Sequence, residues 1–180
     1  MKVTYNWLKD FVEIKIAPQA LADKLTMAGL EVTSLEEKDA DIVFEIEVTP
    51  NRPDGLSVVG IAREAAAIIN AKVKTQNVKL KLKTQNEKTT LKINIENKKD
   101  CPLYTAKIIK DVKVGPSPDW LKKRLELIAC RSVNNIVDIT NYILFTFGEP
   151  LHAFDLDKLR TDTIIVRRGK KDEKITTIDD

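Results

Sequence analysis

Between Ser132 and Phe147 apolar residues fall at Val133, Ile136, Val137, Ile143, Leu144 and Phe147, while Asn134, Asp138 and Asn141 recur at the spacing of the opposite face. That periodicity predicts one amphipathic helix, with Ser132 as its N-cap and Gly148 followed by Pro150 as its stop. Near the start, Tyr5, Trp7, Leu8, Phe11 and Val12 predict a short helix whose aromatics enter a core, capped by Asn6 or Thr4. Pro18 in a first turn, Leu21, Leu25 and Ala28 on one face, and Gly29 as terminator predict a second helix. Ile42, Phe44, Ile46 and Val48 alternate with Val43, Glu45 and Glu47, the period of a strand with one buried face. Pro50-Asn51-Arg52-Pro53-Asp54-Gly55 is a rigid turn, because proline fixes φ and Gly55 accepts conformations other residues avoid. From Leu56 to Ile69 a third helix carries Val58, Val59, Ala62, Ala66 and Ile69, its alanines allowing close approach to the first two.

Around Lys72 to Lys88 the composition turns to Lys, Thr, Gln and Asn, and the word KTQN occurs at Lys74 and again at Lys83. This stretch is either a basic face for phosphates or a solvated strand through Val78, Leu80 and Leu82. Beyond it, Leu91, Ile93 and Ile95 predict a strand, and Tyr104 to Val114 a second, bulged one. Ser117 and Pro118 form a cap-and-first-residue pair for a helix through Trp120, Leu121, Arg124, Leu125 and Ile128. Thr163 to Arg168 and Lys174 to Ile178 predict a hairpin joined by the charged loop at 169–173. The fold class is therefore α+β: a small helical N-terminal unit with a strand at 1–82, and part of a mixed α/β domain at 83–180.

Composition narrows the function only slightly. With 30 basic and 27 acidic residues the formal charge is +3, too even to announce nucleic-acid binding. Cys101 and Cys130 lack metal-site spacing, so neither a zinc site nor a disulfide scaffold is expected, and a reducing cytoplasm fits. The opening Met-Lys-Val-Thr-Tyr-Asn-Trp is too polar for a signal peptide, and no membrane contact is expected.

Candidate chemistry gathers between Cys130 and Asp155. His152, the only histidine, can act as a general base or donate to a bound ester, or it can be structural. Arg131 can clamp a phosphate or carboxylate by its fork of donors, or pair with Asp138, or cap a neighbouring carbonyl. The face formed by Asn134, Asp138 and Asn141 is a ligand face or a solvated one. Cys130 reads as a small buried residue, and Arg52 as either an RNA or partner contact or part of a turn that anchors the next helix. Neither HExxH nor a serine elbow is present to suggest covalent catalysis, and no phosphate-cradling glycine loop suggests ATP binding by this chain.

Three phrases, MKVTYNWLKDFV, EVTPNRPDGLSVVGIAREAAAI and RSVNNIVDITNYILFTFGEPLHAFDLDKL, closely resemble in the same order the N-terminal part of bacterial phenylalanyl-tRNA synthetase β subunits. The resemblance implies a first helical domain followed by the start of the B3/B4 editing domain, which hydrolyses mischarged tyrosyl-tRNA. It places Arg131, Thr140, Asn141 and His152 on positions of the editing pocket: His152 and Arg131 as catalytic, Thr140 and Asn141 as substrate-binding. His152 would hold the terminal adenosine or the attacking water, and Arg131 with Asn141 would position the ester and the tRNA end. Editing has a physical motive, since a pocket built for phenylalanine rejects tyrosine imperfectly, while a second site that hydrogen-bonds the phenolic hydroxyl discriminates strongly. The parent enzyme that the resemblance implies is an α2β2 heterotetramer that charges tRNA with phenylalanine using ATP and magnesium, the α subunit doing that chemistry. No cofactor or metal is expected for this chain itself.

The sequence departs from the family at three places. Between Gly29-Leu30-Glu31-Val32 and the Glu45-to-Leu56 motif only a short connection stands where many members insert an oligonucleotide-binding barrel. Gly55 stands where cysteine is common, a change expected to be harmless in a turn. At Asp179-Asp180 the family continues into the rest of the editing domain. Two functions follow as expectations: a contribution to hydrolytic editing, or a non-catalytic tRNA- or subunit-interaction module.

Overall fold

A computed structural model describes residues 1–74 and 91–176, which cluster as two compact units, 1–74 with 113–153 and 91–112 with 154–176. The basic stretch with its repeated word and the alternation at Val78, Leu80 and Leu82 lie largely outside the described residues.

The first unit is built on a three-stranded antiparallel sheet. β1 (Lys2–Thr4) runs straight into helix α1 (Tyr5–Phe11), where the Thr4 hydroxyl accepts from the Trp7 N–H at 3.2 Å and so caps an orphan donor. α2 (Pro18–Met27) starts on proline and ends in a double closure: Gly29, at φ +94°, donates to Thr26 O, and Leu30 donates to Leu25 O, both at 3.0 Å. β2 (Glu31–Lys38) and β3 (Asp41–Glu47) form a hairpin, and β1 pairs on the other side of β3 to give the order β1–β3–β2. The hairpin turns on Asp39 and Ala40, both at positive φ, as a two-residue turn matched to strand twist requires.

α3 (Val58–Ile68) is capped by Ser57, whose hydroxyl accepts from the Gly60 N–H at 3.0 Å. Before it, a 3-10 turn at Pro53–Leu56 lies so close that a Cβ on Gly60 would stand 1.7 Å from the Asp54 carbonyl oxygen. Because that neighbour is backbone, Gly60→Ala is expected to cost about 2 kcal/mol or more; urea unfolding checks this, and an unchanged midpoint would contradict it. Gly55 is buried, and a Cβ there would meet Val48 Cγ1 at 3.1 Å and Leu30 Cδ2 at 3.3 Å. Its smallness is needed for space, and it does not take positive φ. A cysteine at this position is not neutral for this chain, since Val48 and Leu30 would have to give way.

The core joins Trp7, Leu8 and Phe11 of α1 to Leu21 and Leu25 of α2, Phe44 and Ile46 of β3, and Ile61, Ala62 and Ala65 of α3. Large apolar side chains buried this way contribute about 1.5–3 kcal/mol each. α4 (Asp119–Leu127) and α5 (Asn135–Phe147) belong to this unit too. Trp7 stacks on Tyr142 at 5.3 Å and 5°, Phe11 meets Phe147 edge-on, and the Arg124 guanidinium lies over Trp7 while bonding Asp10 at 2.7 Å. Compactness therefore does not follow chain order: helices placed by sequence in the second domain pack on the N-terminal core.

The second unit holds β4 (Lys92–Ile95) and β5 (Thr163–Val166), paired in parallel, and the single turn α6 (Leu156–Leu159). The expected bulged strand from Tyr104 to Val114 is not formed: this segment is irregular, and Leu103, Ile109, Val112 and Val114 are exposed with no ladder partner among the described residues. Of the expected hairpin, β5 is present but pairs with β4; 173–176 is irregular, and 177–178 lie outside the described residues. Instead Arg167 grips Glu173 with two nitrogens, at 2.8 and 2.6 Å, and Arg168 forks onto Asp100. The bonds from Arg167 hold the Glu173 carboxyl at about 2, well below the ordinary glutamate range. A carboxyl-carbon NMR titration should therefore find Glu173 ionised down to about pH 2; a midpoint near 4 would show the pair to be open.

Candidate functional site

The N-terminus of α5 is where the polar residues singled out by sequence come together, and most of them serve its architecture. Asn134, rather than Ser132, is the N-cap: its Oδ1 accepts from the N–H groups of Ile136 and Val137, both at 3.0 Å. Asn135 holds the segment before α4, accepting from the Gly115 N–H at 3.1 Å and donating to Lys113 O at 2.9 Å. Asp138, one helical turn further on, is fully buried. It is neither part of a solvated face nor the partner of Arg131.

Three donors from two loops converge on that carboxylate. The Ser132 hydroxyl donates to Oδ2 at 2.5 Å, the Val133 N–H donates to Oδ1 at 2.9 Å, and the Ser117 hydroxyl donates to Oδ2 as well. Ser117 is thus not the cap of α4, whose N-cap position is Pro118 with no side-chain bond. Burial by itself would raise the Asp138 pKa, but the bonds from Ser117, Ser132 and Val133 outweigh it and hold the carboxyl below its ordinary value. The nearby Cys130 thiol is pushed up, by burial first and by the Asp138 charge second.

Arg131 lies between these anchored residues and is itself exposed, with no hydrogen-bond or ion-pair partner among the described residues. Thr140 sits half-buried on the α5 face of Val133, Val137, Leu144 and Phe147, its hydroxyl donating to Val137 O at 2.7 Å. Asn141 is half-buried and His152 exposed in the irregular segment after α5. All four residues fall in the first unit, but no hydrogen bond joins Arg131, Thr140 and Asn141 to one another. The apolar stripe that predicted α5 is largely its outer face: Val133 is 63% exposed and Phe147 51%.

The approach to Arg131 contains a strained residue. α4 closes as α2 does, with Cys130 N–H donating to Leu125 O and Ala129 N–H to Glu126 O, both at 2.9 Å, but the left-handed position is occupied by Ala129 at φ +63°. A non-glycine residue there costs about 1–2 kcal/mol. Ala129→Gly is expected to raise stability by about 1 kcal/mol, the gain being partly offset by the freedom glycine adds to the unfolded chain. Thermal unfolding measures it, and a lowered midpoint would contradict the assignment.

Arg52 is engaged in structure. Its Nε and Nη2 donate to Asp54 at 3.0 and 2.8 Å, and Nη2 also reaches Glu64 Oε2 at 2.5 Å, tying the turn to α3. These bonds raise the guanidinium pKa and lower that of Asp54. Among the described residues no cluster of His, Cys, Asp and Glu could hold a metal ion, and no helix is long and apolar enough to cross a membrane.

Residues 100–180 match the B3/4 domain family, a segment that contains Arg131, Thr140, Asn141 and His152. Across 99% of its length the chain is 40% identical to the phenylalanine–tRNA ligase beta subunit of Rhodopirellula baltica. It belongs to the phenylalanine–tRNA ligase beta-subunit family. Over 77% of the chain it is 50% identical to the beta subunit of Fusobacterium nucleatum, and over 86% it is 47% identical to that of Anaeromyxobacter dehalogenans. The chain spans 26%, 17% and 19% of the lengths of these three beta subunits. The α+β character is that of a B3/B4-type domain fragment joined to a helical unit.

Proposed function

We propose that this chain contributes to hydrolytic removal of tyrosine mischarged onto the tRNA for phenylalanine, as part of an assembly that charges that tRNA. One observation carries the reading. Around the start of α5, Ser117, Ser132, Asn134, Asn135 and Asp138 are engaged in internal bonds, whereas the Arg131 guanidinium projects from the same segment without a partner among the described residues. A planar fork left open beside a rigid helix start suits the terminal phosphate and ester of a charged tRNA. Arg131 would hold that end, Asn141 would orient the ester, Thr140 would line the pocket, and His152 would hold the terminal adenosine or the attacking water. Rate would then come from proximity and orientation, without a covalent intermediate. In the complete assembly the α subunit would carry out the ATP- and magnesium-dependent charging step in a cytoplasmic α2β2 enzyme, with no cofactor bound by this chain.

The residues would need the domain that follows in the family to complete the pocket, so the test compares this chain with a version extended through that domain. His152→Ala should lower deacylation of tyrosyl-tRNA about 100-fold in the extended chain while tRNA binding stays within about twofold. Unchanged deacylation would remove His152 from the reaction.

A second reading, a non-catalytic docking module, is favoured by a different observation. Among the described residues of the first unit, Val133, just before α5, and Val137, Leu144 and Phe147 on it form an exposed apolar stripe. Such a surface suits a protein partner better than RNA. Binding of the α subunit or of tRNA by a chain that never accelerates deacylation would support it.

A further inference from the structure

We propose that Asp138 is a positioning residue: its buried carboxylate fixes the 130–133 segment against α5 and thereby sets where the Arg131 guanidinium stands. The inference rests on the editing reading for its functional half and on geometry alone for its structural half.

Residues 131–133 have no regular secondary structure, so no ladder or helix bond fixes them. The residue before, Cys130, is tied to the end of α4 by its N–H, at 2.9 Å from Leu125 O. On the far side the next anchors are the Ser132 hydroxyl, at 2.5 Å from Asp138 Oδ2, and the Val133 N–H, at 2.9 Å from Asp138 Oδ1. Both carboxylate oxygens are therefore engaged by the two residues that follow Arg131. The third bond, from Ser117, brings in the segment before α4, which Asn135 also holds at Gly115 and Lys113. One carboxylate thus fastens both loops that flank α4 to the first turns of α5. Breaking the hub releases Ser132 and Val133 together, and Arg131 becomes the middle of an unanchored stretch.

The groups that face Asp138 make its charge integral to this task. Its oxygens receive three neutral donors and no cation bonds them; Lys122 acts only through space. An ionised carboxylate can accept all three bonds at once. A carboxamide of the same shape presents one accepting oxygen and one NH2 in place of the second, so Asp138→Asn keeps the volume but turns at least one donor against another donor. A serine hydroxyl can rotate away from such a clash, whereas the Val133 N–H cannot, because its direction is fixed by the chain.

Two measurements test the two halves. The first is alkylation of Cys130, resolved from Cys101 by peptide mass. In Asp138→Asn, Cys130 should react about tenfold faster at neutral pH, since the segment opens and the thiol loses the neighbouring charge that raises its pKa. Cys101 should not change, and Ile61→Val, which loosens the same core elsewhere, should leave Cys130 as it was. Equal Cys130 rates in wild type and Asp138→Asn would overturn the proposal, as would an equal acceleration in Ile61→Val.

The second measurement is a double-mutant cycle on tyrosyl-tRNA deacylation in the chain extended through the following domain. Asp138→Asn should lower kcat/KM about 10-fold or more on its own, a misplacement effect, and should cost nothing further in an Arg131→Ala background. The same loss in both backgrounds would show a general structural role and overturn the positioning claim. Absence of deacylation by the unsubstituted extended chain would instead sink the editing reading, and the alkylation result would then decide the position of the segment by itself.

Discussion

Trp7→Ala is expected to lower the stability of the first unit by about 3–5 kcal/mol, enough to leave it largely unfolded at moderate temperature. Trp7 is fully buried and is a keystone in a literal sense: its ring stacks on Tyr142 of α5, carries the Arg124 guanidinium of α4 at 5.3 Å on its face, and sits among the core residues of α1, α2 and α3. Removing it opens a cavity where α4 and α5 meet the N-terminal core, so residues more than a hundred positions away should lose protection with it. Its indole N–H has no acceptor among the described residues, so Trp7→Phe should cost clearly less than Trp7→Ala, because the smaller ring leaves less void and removes a buried orphan donor. Far-UV circular dichroism during urea unfolding gives the stability, and amide exchange in α5 gives the coupling. A loss below about 1 kcal/mol, or exchange in α5 that does not change, would show that the C-terminal helices stand independently of the core.

The second large effect is expected at Asp138. Asp138→Ala leaves the Ser117 and Ser132 hydroxyls and the Val133 N–H facing a void, and losing such a buried charged acceptor should cost about 3 kcal/mol at neutral pH. The pH dependence follows from the direction of its shift. The folded carboxyl titrates below the unfolded value of about 3.9, so its contribution is fully present above that value and is lost as pH falls through the lower folded one. The stability gap between wild type and Asp138→Ala should therefore stay constant from pH 7 to about 5 and shrink at lower pH as the carboxyl takes up a proton. Urea midpoints across pH 2.5–7 (roughly the carboxylate range) measure it; a gap independent of pH would mean that the carboxylate charge contributes nothing.

How much of this was legible beforehand depended on which signal each element carried. α1, α2, α3, α4, α5 and β3 announced themselves by period and punctuation, and the stops at Gly29 and Gly148 are real left-handed positions. β2 was missed because its exposed Glu31, Glu36 and Glu37 blur the alternation and its hairpin turns on Asp39-Ala40, which lacks glycine. The strand expected at Tyr104–Val114 failed for the opposite reason: its alternation is genuine, but a pattern cannot supply a partner strand, and none is available among the described residues. The face rule failed at α5, where the polar side is the buried one. A carboxylate met by three donors can be buried where a free one cannot, and the information that Ser117 would reach it lies 21 residues away.

At the candidate site, residue types were legible and roles only in part. Arg131 and His152 stood out by chemistry, Asn141 by its place in the polar stripe and by family resemblance, and Thr140 by family resemblance alone. Ser132 looked like a cap because caps and carboxylate ligands use the same hydroxyl, and nothing local distinguishes the two. Arg52 looked like a possible RNA contact, yet Glu64 on the next helix holds it. Asp138, the residue with the most consequential geometry, carried no signal beyond its place in a polar stripe.

The proposed role of Arg131 and His152 is ester hydrolysis on a charged tRNA. Its most direct test is deacylation of tyrosyl-tRNA specific for phenylalanine, with phenylalanyl-tRNA as the control, by the 180-residue chain and by the version extended through the following domain. The extended chain should hydrolyse the tyrosyl ester and spare the phenylalanyl ester, the shorter chain should do little, and Arg131→Ala and His152→Ala should each lower the activity about 100-fold. Binding of tRNA or the α subunit by both chains, with no hydrolysis by either, would contradict it and leave the docking module as the function.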